Sequence, residues 1–263
     1  GSGDYATFKG RRRVCETKRS RVIMIHLVIG TPMYGGMCTS EYTQSLLNLS
    51  ESANKSEGVK LTTIFLGNES LIQRGRNTIA HHFMELPDAT HLLFIDADIK
   101  FRVEDIVKMI QADKSLIIGP VALKGYNWDE IRSAAINGEY DIQRTGGVFN
   151  INRLPDIDMV DENEPFEIEH GGNAFMMIRR DCFETLKPHT PIYTNGGRSL
   201  PDGVEIKDYF RVEINKDTNH LLSEDYFFCH SYRQVGGKVW CAPWVETGHF
   251  GSHLFNGKYT RNN

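Results

Sequence analysis

Two aspartates one residue apart, Asp96 and Asp98 with only Ala97 between them, are the residues of this chain with the plainest chemical potential. They follow the apolar run at residues 92–95, so two carboxylates would stand at the edge of a buried segment. Such a pair is costly unless a positive charge offsets it, and a divalent cation taking oxygen ligands is the natural offset. The competing reading is a pair of solvated or helix-capping acids, and spacing alone does not separate the two. A second acidic pair, Glu224 and Asp225, follows Ser223. Ser223 as an N-cap with two acids in the first turn is a complete structural explanation.

Three further groups could carry chemistry. Arg74, Arg76 and Asn77 cluster where they could reach a phosphate, or they form a solvated helix face. His170-Gly171-Gly172-Asn173 sets two polar side chains around two glycines, which suits backbone packed against a ligand or a tight turn. His249 and His253 lie in a Gly-rich tail outside any HExxH pattern. Each is a loop histidine or a nitrogen donor beside carboxylates on a transition metal.

The elements that must position these residues read as alternating strands and helices. Residues 22–29 read as a strand running into the loop GTPMYGG at 30–36, whose glycines permit close approach of a ligand. This loop is neither GxGxxG nor Walker A. An amphipathic helix over 39–57, a strand at 60–65 and a helix over 69–86 follow. Next comes the continuous apolar strand that ends at Asp96. RVEDIVKMIQ predicts another helix and 115–119 another strand, so the two aspartates fall at a strand's carboxyl edge, where open α/β sheets bind ligands. From 120 to 165 the periodicity loosens, predicting excursions with a short helix and a β-ribbon. A turn at 170–173 precedes a strand at 174–178. Residues 188–218, rich in Pro, Gly and Asn, read as a long loop that could serve as a lid or acceptor flap. A helix opens at Ser223 and ends at Gly236-Gly237, and a strand covers 238–242.

Composition narrows the class. The 263 residues are 40% hydrophobic and 24% charged with net charge -4, an ordinary globular balance with no general case for nucleic-acid or membrane-surface binding. No apolar run approaches the roughly 20 residues of a membrane helix. The five cysteines are scattered with no CxxC pair, which suits a reducing, cytoplasmic compartment. Residues 1–22, opening on Gly-Ser-Gly and containing GRRRVCETKRSR, read as a tag remnant or flexible basic tail, with Met24 a native start. Residues 23–263 read as one domain.

Taken in order, the strand with its Thr-Pro-Met-Tyr loop, the Arg74/Arg76/Asn77 helix, the DxD at Asp96–Asp98, and the Ser-Glu-Asp helix followed by a Gly-His segment resemble the GT-A class of nucleotide-sugar glycosyltransferases. The resemblance runs over residues 24–253. It is nearest to the glycosyltransferase domains that large algal viruses use on capsid glycans, and more distant to fungal mannosyltransferases with an R-x-R-N helix before DAD. It implies an α/β GT-A fold: a mixed, mostly parallel central sheet flanked by helices. It implies Mn2+ (or Mg2+) as cofactor, a nucleotide-diphosphate sugar, UDP-linked by preference, as donor, and a glycan or glycoprotein acceptor. A viral protein of this kind would work in the host cytoplasm.

By the same resemblance, Thr31, Pro32, Met33 and Tyr34 would hold the base and ribose, and Asp96 with Ala97 the ribose hydroxyl or the metal. Asp98 and His249 would ligate the metal bridging the two phosphates. Arg76, with Arg74 beside it, would offset diphosphate charge, and Asn77 would support it or contact the donor. His170, Gly171, Gly172, Asn173 and His253 would face the sugar or acceptor. Asp225 (or Glu224) would lie beside the anomeric carbon as base if the reaction inverts, or only position the sugar if it retains. Two other readings compete. A haloacid-dehalogenase-like phosphatase also has DxD after an apolar strand, but it expects a hydroxyl two residues beyond the second aspartate, where this chain has Lys100. A sugar- or nucleotide-binding module would share the fold without turnover.

Overall fold

The structure is a computed structural model that describes residues 24–139, 146–157, 161–196 and 200–252; the basic segment 1–22 and His253 lie outside the described residues. β1 (Ile25–Met33), α1 (Ser40–Lys55), β2 (Val59–Gly67), α2 (Ile72–Glu85) and β3 (His91–Ile95) come first, followed by β4 (Ile99–Lys100), α3 (Val103–Gln111) and β5 (Leu116–Ile118). An excursion then carries β6 (Ala122–Tyr126), α4 (Trp128–Ile136) and β7 (Gly147–Phe149), with β6 and β7 paired as the expected ribbon. β8 (Ile151–Arg153), β9 (Phe166–Gly171), β10 (Phe175–Arg179) and α5 (Arg180–Leu186) return to the body. Two small ribbons, β11 (Ile192–Thr194) with β12 (Glu205–Lys207) and β13 (Glu213–Ile214) with β14 (Leu221–Leu222), precede α6 (Glu224–Gln234), β15 (Val239–Cys241) and β16 (Gly248–His249).

The main sheet has the order β2-β1-β3-β10-β5-β15-β9-β8. β2/β1, β1/β3 and β5/β15 pair in parallel and the other neighbours antiparallel, so only β10 and β9 run against the common direction. This is the α/β architecture expected from the sequence, a mixed sheet with most strands aligned. Alternate residues face opposite sides. Val28, Leu92 and Phe94 pack with Ile79 and Phe83 of α2, Phe183 of α5 and Phe228 of α6. Leu27, Ile29, Leu93 and Ile95 pack with Tyr42 of α1 and Ile106 and Met109 of α3. With helices on both faces, all five residues of β3 are buried, which is why it reads as an unbroken apolar run.

Three segments differ from their sequence reading. β1 continues through Met33, so Gly30 to Met33 are strand and the turn falls at Gly35 and Gly36, both at positive φ. A Cβ on Gly30 would lie 2.5 Å from Ile79 Cγ2; this glycine admits α2 against the sheet instead of a ligand. His170 and Gly171 belong to β9 and not to a turn, because β8 stays paired with β9 through Gly171, beyond the β15 pairing that ends at Ile168. The region from 188 to 218 is not a free flap. Ile206, Tyr209 and Phe210 are buried, with Phe210 stacked on Phe228 at 4.5 Å and edge-on to Phe94 at 5.3 Å. Three apolar anchors outweigh the turn-forming residues around them.

Candidate active site

The site grows from the end of β3. There the Asp96 N–H donates to the Ala174 carbonyl at 3.1 Å, and the Thr39 N–H at the start of α1 donates to the Ala97 carbonyl at 2.9 Å. Backbone from two neighbouring elements therefore fixes the Asp-Ala-Asp turn. The side chains then diverge. Asp96 turns inward: its Oδ1 accepts from Arg76 Nη2 at 2.6 Å, and the same nitrogen donates to Asn173 Oδ1 at 2.7 Å. Arg76 is 1% exposed, lies over the Phe94 ring at 4.9 Å, and among the described residues its Nε and Nη1 have no partner. A charge so far from water is stable only when paired, and Asp96 is its ion-pair partner. Asn173 Nδ2 lies 3.5 Å from Glu224 Oε1, so the polar line runs from Asp96 through Arg76 and Asn173 to the start of α6.

Asp98 turns outward. Its Oδ2 meets Lys124 Nζ at 2.6 Å and His249 Nε2 at 3.5 Å. His249 is delivered by the pairing of β16 with β4, and its Nδ1 lies 2.7 Å from the Ala122 carbonyl. A carbonyl only accepts, so Nδ1 carries a proton and Nε2 is the atom turned to Asp98. The approach of this segment is pinned along its length. Asp105 Oδ2 accepts the Glu246 N–H at 3.1 Å, Thr247 Oγ1 donates to the Pro120 carbonyl at 3.2 Å, and the Phe250 N–H donates to the Asp98 carbonyl at 3.0 Å. Among the described residues no group of three or more His, Cys, Asp or Glu converges as a closed metal cage. One carboxylate and one orientable imidazole nitrogen do converge. That donor set fits Mn2+ or Mg2+ completed by phosphate and water oxygens, the usual way such ions sit with nucleotides.

Across from Asp96, α6 begins with Glu224 and Asp225, both buried. Ser223 occupies the N-cap position without a capping bond; its hydroxyl donates instead to Asp225 Oδ1, which also accepts the Tyr226 N–H at 2.8 Å. One Asp225 oxygen is thus fully engaged. Burial, and secondarily Asp225, pushes the Glu224 carboxyl above its ordinary range, with Arg76 opposing.

Two cavities meet at this turn. One of about 490 Å³ is lined by Pro32, Tyr34, Thr39, Glu69 and the Asp96–Asp98 turn. The other, of about 250 Å³, lies between Asp96, His249, Gly172, Asn173, Glu224 and Asp225. Both include Ile72 and Asp96 in their walls.

Of the other sequence-designated residues, Gly172 and Asn173 reach the smaller cavity, and Pro32 and Tyr34 the larger. Thr31 is buried with its hydroxyl 2.6 Å from that of Tyr42, and Met33 lines neither cavity. Arg74 is held by Glu69 at 2.6 and 2.8 Å. Asn77 faces the other way, bonding Asp208 at 2.8 Å and both donating to and accepting from the Phe210 backbone, so it props the 208–210 segment. His170 stacks on Tyr226 at 4.0 Å, and Gly171 packs beside Ile151. Lys124 and Asn150 are site residues absent from the sequence reading. The excursion that carries them has no periodicity to mark them.

No protein-family model matches the chain, and no curated protein matches it. Among solved structures it is similar to A197 from STIV, at 13% identity and a TM-score of 0.47 over 90% of this chain and 99% of that one. It is similar to GalNAc-T7 with UDP, GalNAc and Mn2+, at 11% identity and 0.43 over 86% of this chain and 44% of that one. A third is a glycosyltransferase involved in glycosylation of the major capsid of PBCV-1, at 9% identity and 0.30 over 62% and 64%. These likenesses are remote. No helix among the described residues is long and apolar enough to cross a membrane.

Proposed function

We propose that this chain is a metal-dependent glycosyltransferase of the GT-A kind. It would move a hexosyl or pentosyl group from a nucleotide-diphosphate sugar, UDP-linked by preference, to a glycan acceptor such as a capsid glycan. The observation that carries the proposal is the meeting of the two cavities at Asp96, with Asp98 and His249 beside the junction and Glu224 and Asp225 across the smaller cavity. A nucleoside fits the larger space, where exposed Tyr34 offers a ring face beside the Asp-Ala-Asp turn. The sugar fits the smaller one, and the diphosphate spans the junction. Asp98 and His249 would hold Mn2+ or Mg2+, which supplies Lewis-acid neutralisation of the departing diphosphate.

The chain's own side chains do the rest. Asp225 would accept the proton of the attacking acceptor hydroxyl on its Oδ2, because Ser223 and Tyr226 already fix Oδ1. The acceptor oxygen bonds to the anomeric carbon as the bond from that carbon to the diphosphate oxygen breaks. In a retaining reaction the same carboxylate would orient the sugar. Glu224, whose carboxyl burial pushes above its ordinary range, accepts from Asn173 Nδ2 on Oε1 and is the alternative base.

The test is calorimetric titration of UDP with and without Mn2+, followed by a screen of nucleotide sugars for Mn2+-dependent release of UDP. Metal-dependent UDP binding and slow donor hydrolysis are expected; UDP binding that ignores the metal refutes the proposal. Cleavage of generic phosphomonoesters with trapping by fluoroberyllate would mark a phosphatase. Ligand binding without UDP release would mark a binding module.

A further inference from the structure

Among the described residues, Lys124 is a charge at the junction that the proposed chemistry leaves without a task. Its ammonium lies 2.6 Å from Asp98 Oδ2, the same oxygen that faces His249 Nε2 at 3.5 Å. A monovalent cation therefore stands on the donor pair that would hold a divalent one. The arginines nearby are committed: Arg76 lies wholly buried on Asp96 and Asn173, and Arg74 is held by Glu69. Lys124 is different, with 45% of its side chain exposed. Its stem runs past Gly251, where an added Cβ would come within 2.6 Å of Lys124 Cδ. A four-carbon stem on an exposed strand can swing, and its ammonium is a compact point charge.

An ammonium and a divalent ion drawn to the same carboxylate oxygen repel each other, so each weakens the other's hold on it. Loading of the metal beside Asp98 Oδ2 therefore works against the Lys124–Asp98 pair. The anion arriving at that spot is the diphosphate, within the arc of the same side chain.

We infer that Lys124 is a resident counter-ion of Asp98 that competes with the divalent cation and, once displaced, becomes a ligand of the nucleotide diphosphate. The inference rests on the metal–nucleotide reading above. It makes the two ligands cooperative. Without nucleotide the metal weakens the Lys124–Asp98 pair uncompensated, whereas with nucleotide the lysine exchanges one anion for another.

Mn2+ alone and UDP are the probes, applied to the full chain as wild type, K124M and K124R. Free Mn2+ is read by electron paramagnetic resonance without nucleotide, and UDP binding by calorimetry at saturating Mn2+. K124M should bind Mn2+ alone about fivefold more tightly, the scale of a lost partly exposed ion pair. It should bind UDP about tenfold more weakly, the scale of a lost charge-assisted contact. K124R should stay within about twofold of wild type for Mn2+ alone, because it keeps the competing charge. An unchanged Mn2+ affinity in K124M overturns the counter-ion assignment, and an unchanged UDP affinity overturns the diphosphate assignment. A wild type that binds neither probe overturns the inference together with the reading beneath it, which distinguishes the two failures.

Discussion

Replacing Arg76 with methionine should lower stability while leaving the helix that carries it intact, and the size of the loss follows from how the pair is buried. Breaking a fully buried ion pair by removing one partner costs about 3–5 kcal/mol, chiefly because the other charge is left without compensation. Here the orphan would be Asp96, which keeps 33% of its side-chain surface exposed, against 1% for Arg76. Water would take up part of that charge, bringing the expected loss to about 2–3 kcal/mol. Within that sum, Asn173 Oδ1 would lose its 2.7 Å donor. D96N leaves the opposite orphan, a guanidinium with almost no access to water that keeps only Asn173, Phe94 and an amide oxygen. It should cost at least as much as R76M although it is the gentler substitution. Urea denaturation of wild type, R76M, D96N and the double variant measures the coupling. The double variant should lose at least about 1 kcal/mol less than the sum of the two single losses. Additivity to within about 0.5 kcal/mol would refute the claim that Asp96 is held by Arg76 in solution.

Three other outcomes are expected. D98A should remove Mn2+-dependent UDP binding in calorimetry while the thermal melt stays near wild type; retained metal-dependent binding would contradict the ligand assignment. D225N should leave UDP binding within about twofold and lower sugar transfer by about 10²–10⁴, the range for loss of a general base, as read by UDP release with acceptor present. E224Q should be neutral to stability in acid and stabilising at neutral pH. A carboxyl whose folded pKa is raised stabilises while protonated and loses that contribution as pH rises through the folded value. Melts of both proteins across about pH 4 to 8 should therefore diverge above the ordinary carboxylate range, and parallel curves would exclude a buried, perturbed Glu224.

The strand leading to Asp96 was legible because burial on both faces leaves an unbroken apolar run, and the helices around it because their stripes are regular. Arg76 was legible in principle. It falls three residues before Ile79 and seven before Phe83, on the stripe that α2 buries, so a charged side chain there had to find a buried partner. Spacing grouped it with Arg74 and Asn77, yet the helix turns each to a different neighbour: Glu69, Asp96 and Asp208. What sequence pattern could not supply was the long-range pairing. β10 inserts antiparallel between β3 and β5 and so brings Asn173 under the Asp-Ala-Asp turn, and β16 crosses to β4 and brings His249 with it. Neither register leaves a local periodic signature. The 188–218 segment misled for a related reason, since its buried residues are isolated anchors with no repeating interval.

The two aspartates of the motif are the same residue type in adjacent turn positions, and the structure makes them unlike by what stands behind each. Behind Asp96 is a buried arginine, so its carboxylate serves as an anchor that sets the turn. Beside Asp98, among the described residues, are a half-exposed lysine and a histidine nitrogen, an arrangement open to an incoming cation. The charge around the junction points the same way. Asp96, Asp98, Glu224 and Asp225 face it from the carboxylate side, while Arg76 and Lys124 are the cations paired with them. Four of these groups are carboxylates and two are cations, and a diphosphate entering alone would add its own negative charge to that excess. Only a ligand set that brings positive charge with it can reverse the sign of the field there. Under the proposed function a divalent cation arriving with the diphosphate would supply that positive charge beside Asp98 and His249.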